Sequence, residues 1–169
     1  MAFNVKTVSS CKNISINVRP ITTATTGSIK ITSLTSGGVT THSVAFSGPV
    51  TKLLLPVSSL AASTGAFKLR LFEGTTKTST KALLIHCDID CCLTKLTNEL
   101  LACECDCPKC ASALSKAQKV FLLLQSAIAT VEEVNSDPRG STITGYYSDI
   151  NDKYIKAKEI CDNSCGCDC

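Results

Sequence analysis

Tryptophan is absent from these 169 residues, histidine occurs twice, and aromatic residues make up only 5% of the chain. The longest apolar runs fall well short of about 18 residues, so we expect no membrane-spanning helix. The first residues, Met-Ala-Phe-Asn-Val-Lys, lack the apolar stretch of a secretory signal. We therefore expect a chain that is made and kept in a cytosol, or released from it by lysis. With 44% hydrophobic residues, the chain can still form a packed core.

Motifs of catalysis are missing as well. The sequence contains no HExxH metalloprotease motif, no glycine-rich phosphate-binding loop and no nucleophile motif. The two histidines, His42 and His86, fall in or near predicted strands. Paired acids such as Glu132 and Glu133 are typical of a solvated surface. We therefore expect a protein that is not an enzyme and that has no small-molecule substrate.

Acidic residues are almost absent from the first half of the chain. Residues 1–86 carry nine lysines and arginines and a single acid, Glu73, whereas residues 87–169 carry eight basic and thirteen acidic residues. The two halves have net charges of +8 and −5, although the whole chain has a net charge of only +3. Such a split favours docking of one copy on another, or an acidic partner for the first half. Ordinary surface charge for solubility is the alternative.

The first 86 residues predict strands rather than helices. Short runs alternate apolar with polar residues, as at Ile14, Ile16 and Val18, and glycines separate the runs. Strands are predicted at residues 3–8, 14–19, 28–33, 39–46, 52–55, 67–72 and 80–86. Seven short strands at this spacing indicate an immunoglobulin-like antiparallel β-sandwich over residues 1–86. The Cys-Trp-Cys core of antibody domains is absent.

After residue 86 the hydrophobic period becomes helical. A short first helix is followed by a second that begins at Pro108 and ends before the turn at 137–140. Its predicted inward residues are Leu114, Ala117, Phe121, Leu124, Ile128 and Val131. A third helix covers residues 147–161, with Ile150, Tyr154, Ala157 and Ile160 inward. Residues 87–169 are therefore predicted to form a small three-helix module, in an α+β protein, which needs metal or disulfides for stability.

Eleven of the twelve cysteines lie in this second module, around the ends of the predicted helices. In a reducing cytosol such clusters usually bind metal, and Cys107-Pro-Lys-Cys110 has the spacing of a zinc knuckle. We therefore predict two or more zinc ions, held by cysteines that the antiparallel helices gather at one pole. Disulfides, and an iron–sulfur or redox role, are the alternatives. The candidate ligands are Cys87, Cys91, Cys92, Cys103, Cys105, Cys107, Cys110, Cys161, Cys165, Cys167 and Cys169.

Residues 87–169 resemble small structural proteins of tailed-bacteriophage virions. The resemblance lies in Cys107-Pro-Lys-Cys110, in the string Leu-Ser-Lys-Ala-Gln-Lys-Val-Phe-Leu-Leu-Leu-Gln-Ser-Ala that follows, and in the closing Cys-Gly-Cys-Asp-Cys. It implies a virion protein of the capsid surface, the head–tail connector or neck, or the tail. The implied partners are other virion proteins and further copies of the chain, assembled in the host cytoplasm.

Two other functions stay open. A disulfide-stapled extracellular adhesion or interaction module would require oxidised cysteines and an export route. A zinc-dependent nucleic-acid-binding protein would use the basic first half. Its nine basic residues are scattered, however, its aromatic residues are few and the cysteine-rich half is acidic. Neither nucleic acid nor a membrane is therefore the expected partner.

Overall fold

Strands and helices occupy separate stretches of the chain in a computed structural model that describes residues 3–8, 11–103, 108–137, 139 and 142–164. The strands are β1 (Phe3–Val8), β2 (Asn13–Val18), β3 (Thr26–Ser33), β4 (Val39–Ala45), β5 (Thr51–Pro56), β6 (Gly65–Glu73) and β7 (Thr76–Ile85). The helices are α1 (Cys87–Leu101), α2 (Pro108–Ser136) and α3 (Thr144–Asp162). The mixed α+β class is therefore confirmed.

The strands form two antiparallel sheets. One has the order β1-β2-β5 and the other the order β4-β3-β6-β7. Alternate side chains of each strand turn inward, so that Ile14 and Ile16 of β2 meet Ile29 and Leu69 of the other sheet in one hydrophobic core. The two sheets therefore share a core. The finer immunoglobulin-like assignment stays a prediction.

The four-stranded sheet packs on both of its faces. Phe67 and Leu83 belong to the core that the two sheets share, whereas Ala66, Ala82 and Leu84 belong to a second core built mainly by the helices. The last six residues of β7 are consequently all buried. The described chain thus has three layers, in the order three-stranded sheet, four-stranded sheet and helices. None of its described helices is long and apolar enough to cross a lipid bilayer.

Helix α2 packs with a face rotated slightly from the predicted one. Leu124 is buried and Ala117, Ile128 and Val131 pack against the helix core as predicted, but the other two predicted residues do not. Leu114 and Phe121 are predicted to be buried, but they are 47% and 51% exposed. The residues that are buried include Ala113, Val120 and Ala127. Small side chains at these positions let α2 lie close to its neighbours, which rotates the largest apolar residues away from the core. The prediction for Leu114 and Phe121 is therefore wrong.

Candidate functional site

Disulfide bonds connect the strands to the helices and the helices to one another. Cys11, which follows β1, pairs with Cys87 at the start of α1, and their Cα atoms are 6.2 Å apart. Cys92 of α1 pairs with Cys161 of α3 across a Cα distance of 5.8 Å. Both distances are usual for disulfides. The first bond fixes α1 to the three-stranded sheet, and the second fixes α1 to α3.

A third disulfide joins Cys103 and Cys110 across the connection between α1 and α2, with a Cα distance of 6.2 Å. Cys91 is disulfide-bonded as well. The 15 residues of α1 span about 22 Å, so Cys87 and Cys103 lie at opposite ends of this helix. The described cysteines are therefore spread along α1 rather than gathered at one pole.

These bonds overturn the prediction of zinc. Zinc binds a cysteine thiolate, and a cysteine in a disulfide has no thiolate to offer. Within the described ranges, no group of three or more His, Cys, Asp or Glu side chains is arranged to hold a metal ion. Six predicted ligands are disulfide-bonded instead: Cys87, Cys91, Cys92, Cys103, Cys110 and Cys161. The other five lie outside the described residues: Cys105, Cys107, Cys165, Cys167 and Cys169.

Cys11 is the cysteine that sequence reasoning missed. It stands alone in the strand-rich half, 76 residues from its partner Cys87. The available signal is parity, because the number of cysteines is even only when Cys11 is included. Its partner could not be deduced, since cysteine counts do not determine which cysteines pair.

A polar network holds the junction between strands and helices, next to Cys87. The hydroxyl of Tyr154 on α3 donates to the carboxylate of Asp88 at 2.7 Å and lies 3.0 Å from the hydroxyl of Thr64. The Lys158 ammonium lies 3.4 Å from the same carboxylate. Burial raises the pKa of Tyr154 far above its ordinary value, so its hydroxyl remains a donor. The network joins α1, α3 and the segment before β6.

One side chain of α2 caps the edge of β7, the last strand of its sheet. The side-chain oxygen of Asn135 accepts the backbone N–H of Ala82 at 2.8 Å, and its NH₂ group donates to the Ala82 carbonyl at 2.9 Å. The buried ammonium of Lys81 donates to the backbone carbonyl of Asn135 at 2.5 Å. The Asn135 amide therefore bonds where a further strand would otherwise pair.

The open part of the four-stranded sheet carries a cluster of positive charge. Lys30 of β3 lies directly opposite Arg70 of β6, and both alternate with residues of the shared core, so they face away from it. Burial lowers the pKa of Lys68, and the nearby charges of Arg70 and Lys77 lower it further. We call Lys30, Lys68, Arg70 and Lys77 the basic face. Like charges opposite each other destabilise a sheet, so this arrangement is not explained by stability.

Tyr147 of α3 borders the basic face. The Lys68 ammonium lies 4.4 Å from the centre of the Tyr147 ring, within the range of a cation–π contact. Burial raises the pKa of Tyr147 to about 12, against the opposing effect of Arg70. The ring therefore stays neutral at physiological pH and holds Lys68 at the boundary between sheet and helix. Lys30 and Arg70 remain half-exposed beside it.

Comparison with known proteins identifies no relative. The chain matches no family model, no curated protein and no solved structure. The resemblance of residues 87–169 to virion proteins therefore stays a prediction, and functional inference rests on the geometry of the disulfides and the basic face.

Proposed function

We propose that this chain is a non-enzymatic interaction module that disulfides cross-link and that works in an oxidising compartment. The set of disulfides carries this proposal, because such bonds persist in extracellular and periplasmic proteins and are rare in a reducing cytosol. In this proposal the strands form an immunoglobulin-like sandwich, an architecture common in cell-surface domains. The adhesion or interaction function therefore takes precedence over a zinc-stabilised virion component.

The cross-links would serve binding by keeping one surface rigid. The Cys11–Cys87 bond and the contacts of Asp88 both lie where the last strand passes into α1. The bond fixes α1 to the three-stranded sheet, and the contacts of Asp88 and Tyr154 fix α1 and α3 to the segment before β6. Strand β6 belongs to the four-stranded sheet, which carries the basic face beside α3. A surface that is already ordered loses less conformational entropy when a partner binds.

The proposed partner of the basic face is an acidic protein surface. Four cationic side chains at this site favour an anionic partner. Sequence-tolerant binding of nucleic acid usually adds aromatic side chains on which bases stack. Of the aromatic side chains on the described strands, Phe3 and Phe67 are buried and only Phe72 is half-exposed, so the face offers one such side chain rather than a series. An acidic polypeptide therefore fits this face better than nucleic acid does.

Disulfide mapping tests the cross-linked module. Protein purified from its native source without reductant should yield linked peptides after proteolysis, and the linked cysteines should resist alkylation. Free thiols at these positions in the native protein would overturn the proposal. The expected pairs are Cys11–Cys87, Cys92–Cys161 and Cys103–Cys110.

Charge reversal tests the basic face, with poly-L-glutamate as the acidic probe. We predict that Lys30→Glu with Arg70→Glu weakens probe binding at least about tenfold, and that wild-type binding falls with added salt. Lys12→Glu with Lys52→Glu is the matched control, because it changes the net charge equally at two exposed residues, one in the turn before β2 and one on β5 of the other sheet. Equal losses in both variants would show that net charge alone governs binding. Tighter binding of a single-stranded DNA probe would favour nucleic acid instead.

A further inference from the structure

Strand β4 forms an open edge of the four-stranded sheet. Natural proteins protect such edges with lysine, proline or a covering element, because an unpaired edge can bind another strand. Two other edges are protected in this way: β5 carries Lys52 and ends at Pro56, and Asn135 caps β7. Strand β4 has neither lysine nor proline, and among the described residues only those of β3 pair with it. Of these three edges, β4 is the best suited to accept a further strand.

Hydrogen bonds at both ends of the β3–β4 pair show which backbone groups of β4 face outward. The Phe46 N–H donates to the Thr25 carbonyl and the Ser33 N–H donates to the Gly38 carbonyl, both at 2.8 Å. Both pairs continue the β3–β4 register, in which directly opposite residues alternate between bonded and non-bonded pairs. Every second residue of β4 therefore directs its N–H and C=O away from β3, toward the open edge. These residues, all of them exposed, are Val39, Thr41, Ser43 and Ala45.

The basic face extends to this edge. Thr41 lies directly opposite Lys30, which lies directly opposite Arg70, so the three side chains form one row on the same side of the sheet. Among the described residues no carboxylate forms an ion pair with Lys30 or Arg70. A strand added to β4 would place a residue next in this row, two strand spacings or about 10 Å from the Lys30 backbone. The side chains of a glutamate and a lysine together span that distance.

The other side of the edge holds two buried polar atoms. Thr40 and His42 alternate with the exposed residues of β4 and lie opposite Ile31 and Ile29, so they turn toward the shared core. The Thr40 Oγ1 and His42 Nε2 atoms are buried and have no hydrogen-bond partner among the described residues. Buried polar side-chain atoms rarely lack one. A hydroxyl group on the inner side of an added strand would lie beside them.

We infer that an acidic segment of the partner binds in an extended conformation, as an additional strand along β4. Its acidic side chains, at every second position, lie over the basic face, and hydroxyl side chains between them turn toward Thr40 and His42. The inference rests on the proposed function and adds the mode of binding, in which backbone hydrogen bonds give affinity and alternate side chains give specificity. A second copy of this chain fits less well, because pairing of β4 with β4 would bring two basic faces side by side.

Two peptides of equal composition test the strand. The probe is a blocked peptide of about nine residues in which Glu and Thr alternate, since threonine favours strands. The control peptide has all its Glu residues before its Thr residues, so it cannot place every acid on one face. We expect the wild-type protein to bind the alternating peptide at least about tenfold more tightly.

The same peptides separate failure of this inference from failure of the proposed function. Equal affinities for the wild type, with both lost in Lys30→Glu with Arg70→Glu, would overturn strand addition and leave the basic face as a site for acidic chains. No binding of either peptide to the wild type would overturn both proposals.

Methylation of the peptide backbone tests the hydrogen bonds directly. A strand at the edge of a sheet bonds to its neighbour through the N–H groups of alternate residues. In an antiparallel pair the residue opposite Thr41 exchanges both bonds with it and shares its face, so the Glu residues carry the bonding groups. We expect N-methylation of the Glu amides to weaken binding at least about tenfold, and N-methylation of the Thr amides to have little effect. The reverse pattern would indicate a parallel added strand, whereas equal effects would overturn strand addition.

A proline on β4 tests the edge from the side of the protein. Thr41→Pro removes an N–H that faces outward and leaves the bonds to β3 intact, the position that proline tolerates on edge strands. Leu54→Pro is the matched control, because the register of β5 directs the Leu54 N–H away from β2 as well. Circular dichroism checks that both variants fold.

Thr41→Pro should weaken binding of the alternating peptide at least about tenfold, whereas Leu54→Pro should bind it as the wild type does. Unchanged binding by folded Thr41→Pro would overturn the inference. Sedimentation of the protein without peptide should give the mass of one copy. A dimer that Thr41→Pro dissociates would assign the edge to a second copy and overturn the acidic segment as its occupant.

Discussion

Glu73 holds the segment between β2 and β3 against the end of β6. Its carboxylate accepts the backbone N–H groups of Ile21 and Thr22 at 2.6 and 2.8 Å and the Thr22 hydroxyl at 2.5 Å. Burial alone would raise the pKa of Glu73, but these hydrogen bonds outweigh it and hold the pKa below its ordinary value. The single acid of the first 86 residues thus has a structural role of its own, and its bonds are to this segment rather than to the basic face.

We predict that Glu73→Gln lowers the free energy of unfolding at neutral pH by about 1–3 kcal/mol, because the amide cannot accept all three hydrogen bonds. The folded-state pKa is depressed, so the stabilisation by Glu73 is complete above the unfolded-state pKa of about 4.3. It is lost as pH falls through the lower folded-state value. Denaturant titrations at neutral pH and at about pH 2 check this. The free energies of unfolding of wild type and variant should differ less at about pH 2 than at neutral pH. A difference that does not depend on pH would contradict the stabilising role of the ionised Glu73 carboxylate.

At the scale of elements, the contact between α2 and β7 depends on the Asn135 amide. We predict that Asn135→Ala lowers the free energy of unfolding by about 1–3 kcal/mol, because the N–H and C=O of Ala82 both lose a partner. Asn98→Ala, at an exposed position of α1, is the matched control and should cost at most about 0.5 kcal/mol. Denaturant unfolding compares the two variants, and hydrogen exchange at the Ala82 amide should become faster in Asn135→Ala alone. Similar losses for both variants would count against the capping role.

Periodicity predicts β2 well but cannot orient α2. In β2 the alternation of Ile14 and Ile16 with polar residues allows only one inward face. Helix α2 has two apolar faces, one through Val120 and Leu124 and one through Leu114 and Phe121. Both faces repeat with helical spacing, so the sequence pattern cannot tell which one packs on α1 and α3. The larger side chains look like the core from sequence, yet the smaller ones allow closer packing.

At the scale of the whole molecule, the cysteines show what spacing alone leaves open. Close pairs such as Cys107 and Cys110 suit zinc in a reducing cytosol, and the predicted compartment decided that interpretation. The bond between Cys92 and Cys161 spans 69 residues and forms because α1 and α3 pack side by side. Such a pairing depends on the tertiary fold. The number of cysteines therefore indicates that the chain needs cross-links. The sequence does not determine whether these are zinc sites or disulfides, or which cysteines pair with each other.

The disulfides should contribute to stability according to the length of chain that each one closes. Cys11–Cys87 spans 76 residues and Cys103–Cys110 spans seven, which corresponds to about 4.5 and about 2.4 kcal/mol of loop-closure entropy in the unfolded chain. All four cysteines are half-buried, so their replacement by serine leaves little cavity. We predict that Cys11→Ser with Cys87→Ser lowers the free energy of unfolding about twice as much as Cys103→Ser with Cys110→Ser. Denaturant unfolding without reductant measures both losses, and a larger loss for the short-range pair would show that local contacts outweigh the closure of the long loop.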